Sequence, residues 1–475
     1  MADLSLDSRG YFWLAELTVP DGQFAHAKSV TGRLKITNSG RISLDLDGHL
    51  PDDKSEAPLS RVFRRGHVKG AIAGILIGTD ERVWLGDLVA NGANAHANGP
   101  STEAYLPHLA LISTDPIFDA KRHRFRQMEF PLDGLEGWLD LSDLKADRTT
   151  KVVRARYVRP KTRQWRLEND TLELQRWLDG VMPATGRPSI TWRERALLRM
   201  IRHHPVSIEE AVELAQKVED FLILLTDSNR GLDFPRLRLK AKGSSIRLYY
   251  PRMDRGAEPV SRHRSWAMFS ACESSFGAMF GKWLALHDEM GPGVHLYLGN
   301  RRGHPMYPEH RFASLVWGLE ALHRASYPSS PNPRLAAKVQ RILSGIKLEK
   351  DRDWAQRMLP SDDEPSLASR LRSILATLPL NFEASDLRAF AERCAGRRND
   401  ISHFGGRRSA EDGDAFDSDI QTLSPALALL YHALLLKLTG LPDNLVRRRF
   451  HGGTNDYQSR QTLRSAGLNL PDAAA

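Results

Sequence analysis

The spacing of apolar residues changes along the chain, and this change constrains the fold more than any other feature. Apolar and polar residues alternate over residues 30–36 and 42–46, and Asn38-Ser39-Gly40 between them is typical of a hairpin turn. From residue 311 onward, apolar residues recur at the three- and four-residue intervals of helices. The sequence therefore predicts an α+β protein, in which a β-rich N-terminal region is followed by an all-α helical bundle.

The same pattern divides the 475 residues into five regions. We expect the N-terminal region to form a sandwich or an open barrel. Helical periodicity over residues 191–203 and 207–226 predicts a helical insertion in the next unit, where Ser207-Ile-Glu-Glu210 forms a capping box. The expected regions are a β-rich domain (1–165), a second β-rich unit with a helical insertion (166–258), a helical connector (259–309), the helical bundle (310–447) and a flexible basic tail (448–475).

Short connections between the C-terminal helices predict an antiparallel bundle. Ser424-Pro425 is expected to begin the last helix, because proline favours the first turn. The acidic run 411–414 before it is expected to be a solvated loop. The expected helices are 310–327, 333–347, 366–378, 385–404 and 424–439.

An arginine and a histidine five positions apart in this bundle are suited to cleaving a phosphodiester. The guanidinium carries a permanent charge that stabilises a developing phosphorane, and the imidazole moves protons near neutral pH. Of 17 histidines, two follow an arginine at this spacing, in the pairs Arg398/His403 and Arg199/His204. The second pair lacks the polar neighbour and the Gly-Gly of the first, and we interpret it as a chance match.

Helical periodicity places Arg398 within an apolar stripe of its helix. A charge in that position is costly unless it is paired, and Glu320 in the first bundle helix is the expected partner. Asn399 and His403 share the flank of the stripe, and the helix dipole favours a protonated His403. A surface arginine beside a capping histidine is the alternative interpretation. The stripe consists of Leu387, Phe390, Ala391, Cys394 and Ile401.

These residues resemble a known family. The pattern Arg398-Asn399-x3-His403 looks like the signature of HEPN domains, the higher-eukaryote and prokaryote nucleotide-binding helical bundles. Residues 397–406 are similar to the HEPN domain of ApeA-type antiphage defence proteins, and residues 312–328 resemble its opening helix. Three N-terminal runs also look like the first domain of that family, namely 10–14, 30–36 and 40–46.

The resemblance implies a metal-independent endoribonuclease without a cofactor, whose active site forms where two HEPN bundles pair in a homodimer. The RNA 2′-hydroxyl would attack the adjacent phosphorus, leaving a 2′,3′-cyclic phosphate and a 5′-hydroxyl. Arg398 would stabilise the phosphorane, His403 would move protons, and Asn399 would hold the backbone or the imidazole. Glu320 and Arg397 are expected to support them. Transfer-RNA loops are the expected substrate, because single-stranded loops present flexible 2′-hydroxyls.

Basic residues indicate where RNA could bind. The net charge is +9, and residues 151–167 contain seven basic side chains and no acidic one. We expect RNA contacts at Arg154 and Arg156 of this segment, and at Arg407 and Arg408 after the motif. A solvated strand face is the alternative interpretation of the first pair.

The remaining features exclude several classes of protein. Cys272 and Cys394 cannot form a disulfide framework, so we expect reduced thiols and a cytoplasmic protein. The N-terminal residues lack the apolar core of a signal peptide, and the apolar segment 425–438 is too short to span a bilayer. We therefore expect no membrane partner. No paired-cysteine zinc pattern and no HExxH sequence occurs, so no metal is expected.

Three functional hypotheses follow. In the first, the protein cleaves RNA in antiphage defence by abortive infection, and the β-rich region responds to a phage-derived trigger and restrains the nuclease. In the second, it is a non-catalytic RNA-binding or scaffolding protein that uses the bundle only to dimerise. In the third, the β-rich region binds a glycan or a phage protein, and the nuclease is its output.

Overall fold

The structure is a computed structural model that divides into two compact units. The first unit contains Met1–Ile223, Ser228–Arg262 and Met268–Glu273, and the second contains Leu224–Asp227, His263–Ala267 and Ser274–Ala475. The described residues are 4–51, 65–94, 101–115, 123–149, 152–181, 191–240, 243–253, 260–303, 306–327, 333–359, 365–402 and 410–471.

The described part of the first unit contains strands and a few helices. Its strands are β1 (Leu4–Leu14), β2 (Val30–Thr37), β3 (Ile42–Leu46), β4 (Arg65–Val68), β5 (Ile72–Leu76), β6 (Arg82–Asn94), β7 (Thr102–Ser113), β8 (Phe125–Pro131), β9 (Leu144–Arg148), β10 (Val153–Tyr157), β11 (Arg163–Leu167), β12 (Asp170–Val181), β13 (Thr191–Val206), β14 (Arg236–Arg238) and β15 (Ile246–Tyr249). Its helices are α1 (Glu136–Leu139), α2 (Ile208–Thr226), whose last residues count with the second unit, and α3 (Phe269–Cys272).

Six of the strands form a closed barrel in the order β7-β3-β2-β1-β5-β6, with β6 pairing back to β7. The predicted hairpin is present, since Ile36 pairs with Ile42 and Gly32 with Leu46. The side chains facing inward form a continuous apolar core, which explains the alternation seen in the sequence. A β-rich architecture is therefore confirmed, and its first part is a closed barrel.

The sheet continues beyond the barrel without a break. From β7 it runs through β15, β14, β8, β13 and β12 to β11, while β9 and β10 form a separate hairpin. The predicted boundary at residues 165/166 falls inside strand β11, and β8 from one side of it pairs with β13 from the other. The prediction of two separate β-rich units is therefore wrong, because long-range strand pairing joins them into one sheet.

The helical prediction for residues 191–203 is also wrong, since the segment is strand β13. Its apolar run is short, and a run of this length fits a buried strand as well as a helix. The strand is hydrogen-bonded on both sides, to β12 and to β8, and Leu198 pairs with Leu174 and with Phe130. These pairings, which are remote in sequence, decide the conformation.

Helix α2 begins at the predicted capping box. The Ser207 backbone N–H donates to Glu210 Oε2 over 2.6 Å, and the Glu210 backbone N–H donates to Ser207 Oγ over 3.2 Å. Both donors at the helix start are thereby satisfied, so this prediction is confirmed.

The second unit is helical, as predicted for the bundle. Its helices are α4 (Phe276–Met290), α5 (Pro292–Arg301), α6 (Pro308–Ser326), α7 (Pro333–Ser344), α8 (Glu349–Met358), α9 (Leu367–Leu375), α10 (Ala384–Ser402), α11 (Ala410–Leu438), α12 (Asp443–Arg448) and α13 (Asp456–Ser465). Helix α8 was not predicted. Helices α4 and α5 belong to this unit, so the prediction of a separate connector is wrong for them.

Helix α11 begins earlier than expected and continues through Pro425. The acidic run 411–414 is therefore helical rather than a loop. Pro425 cannot donate to the carbonyl of Gln421, which costs about 3 kcal/mol in a helix interior. Complete burial of Leu423 and Leu427 on either side offsets this cost, because packing stabilises the helix more than local propensity disfavours it.

Because helix α11 is longer than expected, its length no longer rules out a membrane span. Within the described residues, Gly413–Leu438 is long and apolar enough to cross a membrane by length and composition. However, 61% of its most apolar 18-residue stretch is buried inside the protein, as is typical of a core helix.

The predicted flexible tail is folded over most of its length. Phe450, Leu463 and Leu468 are fully buried, and helix α13 packs on α11. The Asn469 side chain donates to Asp386 Oδ2 of α10 over 3.1 Å. The prediction of a flexible tail is therefore wrong. The segment is rich in basic residues, but a few apolar side chains among them are buried and hold it against the rest of the unit.

Candidate active site

Helix α10 places Arg398 on its buried face. The side chain is 25% exposed, and its neighbours on the same face are buried. Arg398 Nη2 lies 3.3 Å from Glu320 Oε2, which belongs to the adjacent helix α6. Glu320 is only 17% exposed. The contact suggested by the sequence between these two residues is therefore present, and it lowers the cost of a charge on an apolar stripe.

The carboxylate of Glu320 is shared between two cations. Arg324, one turn further along α6, brings its Nη2 to 3.1 Å from Glu320 Oε1. One negative charge therefore faces two permanent positive charges. The resulting excess of positive charge beside Arg398 favours the approach of an anion such as a phosphate.

Arg398 also contacts the next residue of the motif. Its Nη1 donates to Asn399 Oδ1 over 3.1 Å, and Asn399 is exposed. The Arg398 Nε–H has no hydrogen-bond partner within the described residues. The guanidinium is thus fixed by Glu320 and Asn399 while part of its donor capacity stays unused.

Arg397 faces a different set of groups. Its Nε donates to Asp419 Oδ2 of α11 over 2.7 Å, and its Nη1 lies 3.0 Å from Asp400 Oδ2. These hydrogen bonds, above all that to Asp419, raise the pKa of Arg397. Arg393 contacts the same Asp419 carboxylate. Arg397 therefore fastens α10 to α11, which fits a supporting role better than direct contact with substrate.

Three predicted residues, His403, Arg407 and Arg408, lie outside the described residues. The described part of α10 ends at Ser402. The expected positions of these side chains relative to Arg398 remain predictions.

The competing pair Arg199/His204 has a structural explanation. Arg199 Nη2 lies 2.8 Å from Glu129 Oε1 and its Nη1 lies 3.6 Å from Glu173 Oε2, and both carboxylates are buried. Arg199 neutralises carboxylates inside the sheet, whereas His204 is exposed. This arrangement agrees with the interpretation that the spacing arose by chance.

The predicted basic strand is β10. Arg154 and Arg156 are both exposed on it, opposite Asp147 and Lys145 of β9. Exposure leaves their guanidinium groups open to solvent or to a polyanion. A role in RNA binding remains a prediction.

The described residues do not offer other catalytic chemistry of the kinds considered. Among them, no group of three or more histidine, cysteine, aspartate or glutamate side chains could hold a metal ion. Both cysteines are buried, and burial raises the pKa of Cys272 to about 12 and that of Cys394 further. A thiolate nucleophile is therefore strongly disfavoured.

Comparisons with known proteins agree with the two-part organisation. The family model described as ApeA N-terminal domain 1 matches residues 7–283, and the family model described as Apea-like HEPN matches residues 313–445. The first match crosses the boundary predicted at 165/166 and covers the continuous sheet. The second includes Glu320, Arg398 and Asn399. Neither the curated proteins nor the solved structures include a significant match.

Proposed function

Because the chain belongs to the ApeA-like family of HEPN antiphage proteins, we propose that it is a metal-independent endoribonuclease that uses Arg398 and His403 to cleave RNA. The family supports a nuclease-related role in antiphage defence. The observation that carries the proposal is the ion pair between Arg398 and Glu320. It fixes a guanidinium, still 25% exposed, beside the polar motif residue Asn399.

In the proposed reaction, Arg398 binds a non-bridging oxygen of the scissile phosphate. The RNA 2′-hydroxyl loses its proton and its oxygen attacks phosphorus, while the bond from phosphorus to the 5′-oxygen breaks and that oxygen gains a proton. His403 moves these protons, and Arg398 stabilises the negative charge that develops on the phosphorane. The products are a 2′,3′-cyclic phosphate and a 5′-hydroxyl, and no metal ion or cofactor takes part.

The proposed active enzyme is a homodimer, in which two HEPN bundles bring two copies of the motif together. A single motif supplies one imidazole, whereas the reaction removes one proton and adds another. Two copies of His403 can divide these roles between a base and an acid, which is the arrangement that general acid–base catalysis favours.

The proposed setting is the cytoplasm of an infected cell, with RNA as substrate and transfer-RNA loops as its preferred class. Arg154 and Arg156, together with Arg407 and Arg408, are proposed to contact the RNA backbone. A phage-derived trigger at the N-terminal region would release the nuclease, and the result would be abortive infection. Cleavage of host RNA would stop the infected cell from supporting the phage, which is the outcome of abortive infection.

A panel of purified variants tests the proposal. Arg398→Ala and His403→Ala should each abolish cleavage of total cellular RNA, with folding and self-association retained. Arg388→Ala, on an exposed position of the same helix, and His204→Ala, from the competing Arg199/His204 pair, are the matched controls and should remain active. Full activity of either motif variant would favour the non-catalytic scaffold instead.

Mixed dimers test the composite site. Wild-type and His403→Ala subunits, mixed after dissociation or co-expressed with different tags, form dimers with one intact imidazole. The isolated mixed dimer should be nearly inactive, because the proposed reaction uses the imidazoles of both subunits. A mixed dimer that keeps about half of the wild-type cleavage rate would indicate that each subunit acts with its own complete motif.

A further inference from the structure

A cavity of about 160 Å³ lies within the second unit. Its lining residues come from α5, α6 and α11 and from the two short segments that this unit takes from earlier in the chain. Arg398 and Glu320 are not among its described lining residues. The polar residues that line it are Asp227, Trp266, Tyr297, Asn300, Arg301, Arg311 and His432.

Positive charge exceeds negative charge around this cavity. Asp227 contributes one carboxylate, but Arg301 lies 2.5 Å from its Oδ1 and Arg449 lies 3.2 Å from its Oδ2. Arg311 is exposed, and no hydrogen bond or ion pair joins its side chain to another described residue. The single negative charge of Asp227 thus faces two guanidinium groups, and Arg311 adds a third positive charge nearby. The excess of positive charge favours an anionic ligand.

His432 lines the cavity as a neutral ring and adds no charge to it. Burial lowers its pKa to about 4, so the ring is neutral at pH 7. Its Nε2–H then donates to the Leu224 carbonyl over 2.6 Å, and its Nδ1 accepts from the Tyr297 hydroxyl over 2.7 Å. The Trp266 ring stacks on this imidazole at a centroid distance of 4.7 Å. The hydrogen bond between Tyr297 and His432 therefore fixes the imidazole, and the imidazole holds the Trp266 ring in place.

Two nearly buried side chains of the cavity have polar atoms that make no hydrogen bond to any described residue. Trp266 is 5% exposed and Asn300 is 6% exposed. Within the part of the chain that the structure describes, the Trp266 Nε1–H, the Asn300 Oδ1 and the Arg301 Nε–H make no hydrogen bond. A buried polar group without a partner is costly, and a set of them lining one cavity indicates a ligand or ordered water.

The chemistry of these atoms defines the ligand. Trp266 and Arg301 need acceptors, whereas Asn300 Oδ1 needs a donor. We propose that the cavity binds a phosphate group that retains a hydroxyl, with its anionic oxygens facing Arg301 and Trp266 and its hydroxyl donating to Asn300 Oδ1. The volume is roughly ten times the 10–15 Å³ that a cavity needs to hold one water, which admits phosphate or a small monoester.

Sulfate provides the discriminating comparison, because it matches phosphate in shape and charge but has no proton to donate near neutral pH. Calorimetric titration of the full chain at pH 7 and constant ionic strength should show saturable binding of inorganic phosphate. Sulfate should bind about tenfold more weakly, because it leaves Asn300 Oδ1 unpaired. Equal binding of the two anions, or no saturable binding of phosphate, would overturn the proposal.

Variants locate the binding. Trp266→Phe keeps an aromatic ring against His432 and removes the Nε1–H, and Arg301→Gln removes a guanidinium. Each should weaken phosphate binding about tenfold or more. Arg341→Gln, an exposed arginine of α7, makes the same change in net charge and should leave binding unchanged. An equal loss in Arg341→Gln, or none in the cavity variants, would overturn the assignment.

Methyl phosphate, titrated at pH 5, where it and inorganic phosphate are both monoanions that retain a P–OH, separates the two sources of the ligand group. Binding tighter than that of inorganic phosphate assigns the cavity to a phosphate monoester, and weaker binding assigns it to free phosphate. This inference is independent of RNA cleavage, since it concerns residues that the proposed reaction does not use. The wild-type comparison of phosphate with sulfate needs no variant, so a variant that fails to fold does not affect it.

Discussion

The carboxylate of Glu320 lies 3.3 Å from the guanidinium of Arg398 and joins helix α6 to helix α10 at a position that is otherwise apolar. A partly buried charge of this kind is stable only with a partner, because removing a charge from water is costly. Arg398 is therefore held in a defined position rather than free in solvent. A fixed cation is what stabilisation of a phosphorane requires.

The first prediction concerns this partner. Glu320→Gln preserves volume but removes the charge that holds Arg398, so the guanidinium should lose its fixed position. RNA cleavage should fall about 10- to 100-fold, because small misplacements of a catalytic group have effects of this size. Initial rates on one RNA measure it, with Glu392→Gln, an exposed position of α10, as the control. An unchanged rate in Glu320→Gln would show that the pair is only structural.

The second prediction concerns the folded C-terminal segment. Leu463 of α13 is fully buried, so Leu463→Ala should lower the free energy of unfolding by about 2–5 kcal/mol. Leu348→Ala is the matched control, because that side chain is 67% exposed and its loss should change stability by less than about 0.5 kcal/mol. Denaturant titration compares them. If Leu463→Ala and Leu348→Ala unfold with equal free energies, the C-terminal segment does not pack on the bundle and behaves as a flexible tail.

The third prediction concerns pH. The His432 imidazole has an ordinary pKa of 6.5, and burial lowers it to about 4 in the folded protein. Below pH 6.5 the unfolded chain binds a proton that the folded protein does not bind until about pH 4. The free energy of unfolding therefore falls as the pH falls through this window, by up to about 3 kcal/mol, and this contribution is constant above it.

His432→Gln removes this proton uptake. Between pH 7 and pH 5, the variant should lose about 2 kcal/mol less stability than the wild type. Urea unfolding at the two pH values gives the comparison, and His310→Gln, at an exposed histidine, is the control and should behave like the wild type. Parallel losses in His432→Gln and wild type would contradict the assignment.

The fourth prediction concerns the capping box of α2. Ser207→Ala removes the acceptor of the Glu210 backbone N–H and should lower the free energy of unfolding by about 1 kcal/mol. Ser207→Asp restores a capping acceptor and should recover most of that loss. Thermal or denaturant unfolding distinguishes them, and an alanine variant as stable as the wild type would mean that the cap does not contribute.

Local signals in the sequence predicted the parts of the fold that depend on local interactions. The hairpin at 38–40, the capping box at 207–210 and the stripe around Arg398 are each specified by residues close together in the chain, and each is present. The partner of Arg398 was also predictable, because an apolar stripe that carries a charge requires a neighbouring carboxylate.

The failures have a common physical origin in long-range contacts. Pairing of β13 with β8 overrides a helical pattern, and burial around Pro425 carries α11 through a residue that normally starts a helix. The cavity beside Trp266 could not be predicted either, since Asp227, Asn300 and His432 are far apart in sequence and have no shared motif. Tertiary packing decides these features.

The chemical nature of the RNA ends tests the central claim most directly. Purified protein is incubated with RNA in the presence of EDTA, and the termini of the products are identified by enzymatic end-labelling and mass spectrometry. We predict 2′,3′-cyclic phosphate and 5′-hydroxyl ends from the wild type and no products from Arg398→Ala. Products with 3′-hydroxyl and 5′-phosphate ends, or cleavage that requires magnesium, would contradict the account.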